Sequence, residues 1–188
     1  MNEIELIRTQ LTTERAHAGR VARACVAALG EAQPPGAGAT EAFRDTCVSY
    51  LVWVLTRFEQ RDQLLAELLQ GLSGDCRGPR EGTVPVELGD IAARPGTSRE
   101  ALTKLEAALG AVSPDAARRA WSVFGHFFES AWSERRLAIE QHLARLPGTL
   151  HWRTVCVIDA DSILEERMRY ASVARQLPKG IPLEPPAA

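Results

Sequence analysis

Five ionisable residues interrupt otherwise apolar helical stripes in this sequence: Glu14, His17, Asp62, Asp159 and Glu166. Four are carboxylates and one is an imidazole, the donor types that hold Fe or Mn inside helical bundles. Glu14 and His17 have the E-x-x-H spacing, which sets both on one helix face a turn apart and aims them at a common point. Asp62 sits in the stripe Phe58, Asp62, Leu65, with Glu59 on its flank, and Asp159 and Glu166 fall in the series Trp152, Val155, Asp159, Ile163, Glu166, Tyr170. His126 and Glu129 form a further i,i+3 pair in reversed order. A charge turned inward is costly unless it is paired or metal-bound, so these side chains are expected to share a positive counterpart. Two counterparts are open. One is a metal ion, with Glu14, His17, Asp62, Asp159 and Glu166 as ligands and Glu59 and His126 as weaker candidates. The other is Arg135, the intruder in the series Phe124, Phe128, Ala131, Ile139, forking onto Glu14, Asp62 or Asp159 in a metal-free network that sets helix register.

Helices must carry these residues. Ile4, Ile7, Leu11, Ala18, Val21, Cys25 and Ala28 recur at three and four residues and predict a first helix from Glu3 to about Leu29, closed by Gly30. After a Gly/Pro-rich loop, Thr40 can cap a second helix to about Leu69, closed by Gly71. The connector 71–112 is crowded with glycine and proline. Ser113, Pro114 and Asp115 then start a third helix to about Leu146, and Thr149 caps a fourth to about Leu177. The expected fold is an all-α antiparallel four-helix bundle over residues 1–177, with a helical-hairpin connector between the second and third helices and a Pro-rich tail, 178–188, extended or disordered.

The segment Glu14, Arg15, Ala16, His17 in a first helix, followed by an aromatic-rich second helix and then a second hairpin, resembles the hemerythrin-like (HHE cation-binding) family in layout. The resemblance spans about Glu3–Leu69 and Ser113–Leu177. It implies a di-iron bundle in which His17 is the first-helix histidine. The family's His-x-x-x-Glu motif falls on Phe58 and Asp62: Asp62 can stand for the bridging glutamate, but Phe58 cannot bind metal. The matching third-helix position is Trp132, and four histidines cannot supply the usual five. The resemblance therefore implies a divergent member, a metal-binding or sensing module with altered or lost di-iron chemistry.

Composition narrows the remaining classes. The 188 residues carry a formal charge of −2, with 45% apolar and 24% charged residues, which gives no global attraction to nucleic acid or anionic membrane. Met1 to Leu6 lack the basic and apolar regions of a secretory signal, and no apolar run spans a membrane, so a cytoplasmic setting is expected. Cys25, Cys47, Cys76 and Cys156 form no C-x-x-C pair; Cys25, Cys47 and Cys156 fit buried reduced thiols, whereas Cys76 lies in a loop. No G-x-S-x-G elbow, P-loop or dinucleotide fingerprint is present. Residues 88–105 have helix-turn-helix spacing, with Ser98, Arg99, Thr103 and Lys104 toward a groove, which would make the chain a transcriptional regulator; Glu100 and Glu106 offset Arg99 and Lys104 and weaken phosphate attraction. Partner binding to another protein or a small ligand would use an exposed apolar face or this connector.

Overall fold

The structure, a computed structural model, describes residues 3–30, 37–74, 100, 103–105, 107, 115–116, 118–119, 121–125 and 149–183. Their regular elements are all helical, with no strand among the described residues: α1 (Glu3–Gly30), α2 (Ala37–Gly74), α3 (Thr149–Cys156) and α4 (Ala160–Arg175). Residues 121–125 are also helical. The all-α class is as the periodicity predicts. The long α1 begins with Glu3 and Glu5 at its positive end. Its stripe of Ile7, Leu11, Ala18, Val21, Cys25 and Ala28 is buried. Helix α2 runs beyond the expected Thr40 and Leu69 at both ends and passes Gly71, because a single glycine weakens a helix by about 1 kcal/mol without ending it. It packs on α1, and both helices contact α3 and α4.

The fourth expected helix is two. The chain leaves α3 after Cys156 and re-enters helix at Ala160, with Asp159 as N-cap. The Asp159 carboxylate accepts from Ser162 N at 2.7 Å, while Ser162 Oγ accepts from Asp159 N at 3.0 Å, a reciprocal capping box. Val157 at this junction has φ +48°, a left-handed backbone unfavourable for a β-branched residue. The start of the tail also differs from expectation. Pro178 O accepts from Ile181 N at 3.2 Å across a turn in which Gly180 takes φ +93°, the type II position that suits glycine, and Ile181 docks into the core. Of the helix-turn-helix segment only residues 100 and 103–105 are described, and all are helical. The first half of that segment, with Ser98 and Arg99, lies outside the described residues, as do Cys76, His126, Glu129, Trp132 and Arg135.

Two apolar clusters form the core. One joins Ile7 and Leu11 to Leu65, Trp152, Val155 and Cys156. The other joins Ala18 through Ala28 to Phe43 through Phe58, with Leu105, Trp121, Phe124 and Val173. Along α1 the change of cluster falls between Leu11 and Ala18, and along α2 between Phe58 and Leu65. Glu14 and Arg61, both buried, occupy those intervals.

Candidate functional site

Glu14 lies on the inward stripe of α1 and has 0% exposure. Its cations come from α2. Arg61 Nη1 stands 2.6 Å from Glu14 Oε2, and Arg57 Nη2 stands 3.6 Å from Oε1. Gln10, one turn earlier on α1, donates to Oε1 at 3.4 Å. The two arginines do more than neutralise Glu14. Arg61 Nε donates to Cys156 O at 2.5 Å, and Arg57 Nη2 donates to Val157 O at 2.8 Å. Cys156 O is the last carbonyl of α3, where helical carbonyls lack intrahelical partners and the dipole is negative, and Val157 O follows it in the junction. Arg57 and Arg61 are one turn apart, so a single α2 edge reaches both α1 and the α3–α4 junction. Their guanidinium groups lie over aromatic rings, Arg57 4.9 Å over Trp53 and Arg61 5.5 Å over Phe58.

The second carboxylate, Glu166 on α4, also has 0% exposure. Its Oε1 accepts from His17 Nδ1 at 2.7 Å and from Tyr50 OH at 2.9 Å. The His17 ring is 17% exposed and stacks on Tyr170 at 3.6 Å with a 9° tilt, and Tyr170 meets Tyr50 edge-on at 6.1 Å. Three helices thus fix one oxygen of Glu166, while its buried Oε2 has no hydrogen-bond partner among the described residues.

Burial sets the protonation of the groups around this layer. It pushes the Tyr50 hydroxyl far above its ordinary range, with the Glu166 charge and hydrogen bond acting the same way. It also pushes the Cys156 thiol up to about 11, against the opposing pull of Arg61 and Arg15. Arg57 is held below its ordinary value by burial and then by the like charge of Arg61, with Glu14 opposing.

The structure therefore joins His17 to Glu166 and buries Glu14 one turn earlier on α1, where it meets Arg57 and Arg61 instead, with Asp62 buried on α2 and Glu59 half-buried. Asp159 departs from the expected inward position. It is exposed, and its carboxyl is held below the usual range by the backbone and side-chain hydrogen bonds of Ser162. The capping geometry spends the side chain on the start of α4. The cationic partners of Glu14 were not foreseen: Arg57 and Arg61 flank the Phe58–Asp62–Leu65 stripe and reach the interior on long side chains. Their i,i+4 spacing beside a stripe that already contains an acid was the available signal.

A two-iron centre needs several donors free to bind a cation. Among the described residues no group of three or more His, Cys, Asp or Glu side chains could hold a metal ion. Glu14 faces two guanidinium groups, whose charge repels a cation. The donor set described does not fit a di-iron centre. Within the helix-turn-helix segment, Lys104 pairs with Glu100 at 2.8 Å. No helix among the described residues is long and apolar enough to cross a membrane. No family model, curated protein or solved structure matches the chain.

Proposed function

We propose that this chain is a cytoplasmic, metal-free interaction module, an antiparallel four-helix bundle held in register by a buried ionic layer. The observation that carries the reading is the double engagement of Arg57 and Arg61. Each meets Glu14 at one side and a carbonyl at the α3–α4 junction, Cys156 O or Val157 O, at another. A guanidinium pair in this position performs the neutralising work a metal would otherwise do. Cluster membership supports the antiparallel arrangement: Ile7 and Leu11 near the start of α1 group with Leu65 late in α2, whereas Cys25 and Ala28 group with Phe43 and Cys47 early in α2. Elemental analysis of the purified chain tests the reading. We expect far less than one Fe, Mn or Zn per chain and a melting temperature that added metal leaves unchanged. Stoichiometric metal would overturn it.

One observation favours a second reading, a divergent hemerythrin-like module binding a single Fe or Mn. The buried Glu166 Oε2 has no hydrogen-bond partner among the described residues, and His17 shares the other oxygen of that carboxylate. Here Glu166→Gln and His17→Ala would each abolish retention of the ion.

A further inference from the structure

Helix α4 buries Ser162, Glu166 and Val173 on its inward side. With 3.6 residues per turn, Leu164, Met168, Ala171 and Arg175 fall on the opposite side, with Asp161 and Ser172 close by. Leu164 and Met168 are 58% and 64% exposed. Asp161, Leu164, Met168, Ser172 and Arg175 line one shallow depression on this surface. Scattered exposed apolar residues need no explanation, but these two are adjacent turns of one stripe and have opposite charges at its two ends.

The stripe is symmetric about its centre. Asp161 and Arg175 each lie seven residues from Met168, and Leu164 and Ser172 each lie four. A two-fold axis through Met168 would set a second copy of α4 antiparallel to the first, with Met168 on Met168, Leu164 over Ser172, and Asp161 facing Arg175 at both ends. That is the self-complementary pattern an isologous contact requires. Of the other charges of the helix, Glu166 is buried, Glu165 pairs with Arg169 at 2.9 Å and Arg169 lies 5.4 Å over Trp53, while the exposed Arg167 flanks the stripe.

We propose that the outer face of α4 is a self-association surface, through which two copies of this chain pair antiparallel about Met168. The inference rests on the interaction-module reading and names its partner. A sixteen-residue helix is about 24 Å long, and one of its faces falls short of the roughly 800 Å² per partner of stable complexes. The pairing is therefore weak and depends on concentration and salt.

Sedimentation of the full chain over a wide concentration range, at low and high salt, tests this. The expected result is a monomer–dimer equilibrium that Met168→Glu weakens by at least about tenfold. Asp161→Arg and Arg175→Asp should each weaken it by about tenfold, since each places like charges together at both ends. An equimolar mixture of those two variants should recover the wild-type association, because every basic end then faces an acidic one. Circular dichroism checks that each variant keeps its helix content, and Leu164→Lys replaces any variant that does not. A chain that stays monomeric overturns the proposal, as does a dimer indifferent to these substitutions or a mixture no tighter than its components. A monomer would leave the metal-free reading standing, whereas stoichiometric metal would overturn that reading and leave the association measurement intact.

Discussion

The chemistry of single side chains explains why the interior tolerates Glu14. A carboxylate with 0% exposure loses its hydration, and the Arg61 guanidinium at 2.6 Å restores part of that loss. Removing one partner of such a pair leaves the other buried and uncompensated. Arg61→Met should therefore destabilise the chain by about 3 kcal/mol, the low end of the range because Arg57 remains beside Glu14. Adding Glu14→Leu to Arg61→Met should recover most of that loss, since the unpaired charge is gone and two apolar side chains fill the space. Urea unfolding of the single and double variants measures both. If Arg61→Met costs less than about 1 kcal/mol, the pair is not what neutralises Glu14. The Glu166 pair should follow the same logic more weakly. Tyr50→Phe removes one of two donors to Oε1 and should cost about 1 to 3 kcal/mol in the same assay, with little change in packing.

At the level of elements, the α3–α4 junction is where the sequence and the structure part most clearly. The stripe Trp152, Val155, Asp159, Ile163, Glu166 reads as one helix because its spacing continues across the break. Asp159 and Ser162 also have the spacing of a reciprocal cap, and that local chemistry prevails. Val157 then adopts a left-handed backbone while Arg57 holds its carbonyl, so contacts from α2 compensate for an unfavourable conformation. Val157→Asn, which suits φ above zero, should raise stability by about 1 kcal/mol in thermal or urea unfolding. A loss instead would mean that the valine side chain contributes more at this junction than its backbone costs. The stripes of α1 and α2 were legible because apolar burial follows periodicity directly. Glu14 and Glu166 were legible as inward charges for the same reason. Arg57 and Arg61 were not, because they lie off the stripe and only tertiary packing decides whether a long cationic side chain turns in or out. The guanidinium counterpart was foreseen in kind, and the structure supplies it from α2.

For the whole molecule, the ionic layer sits between two apolar clusters, and folding keeps neutral both Tyr50 and Cys156 beside that layer and Cys25 deeper in one cluster. The hydroxyl of Tyr50 and the thiols of Cys25 and Cys156 all lie above their ordinary values, Tyr50 and Cys156 chiefly through burial, Cys25 chiefly through its hydrogen bond to Cys47. A raised value means that the folded chain keeps its proton where the unfolded chain releases it. The stabilisation is complete below the thiol's unfolded value of about 9.0 and is lost as pH rises from there toward the folded value. For Cys156, whose folded value is about 11, the difference amounts to about 2 to 3 kcal/mol, lost between roughly pH 9 and 11. Urea midpoints should therefore fall steeply across that interval, well before arginine loses charge. Cys156→Ala should make the fall shallower by about the same 2 to 3 kcal/mol, while the rest persists through Cys25 and Tyr50. The acidic side of the profile has a different origin. Asp159 is held below its ordinary value, so its contribution is present above the usual carboxylate range and is lost as pH drops through the folded value. Since Asp159 is exposed, that acid loss should shrink in Asp159→Asn, whose side chain can still cap, and leave the alkaline limb unchanged. Two limbs that respond to different substitutions would separate the interior from the cap. An alkaline limb that Cys156→Ala leaves untouched would mean that this thiol meets water in the folded chain.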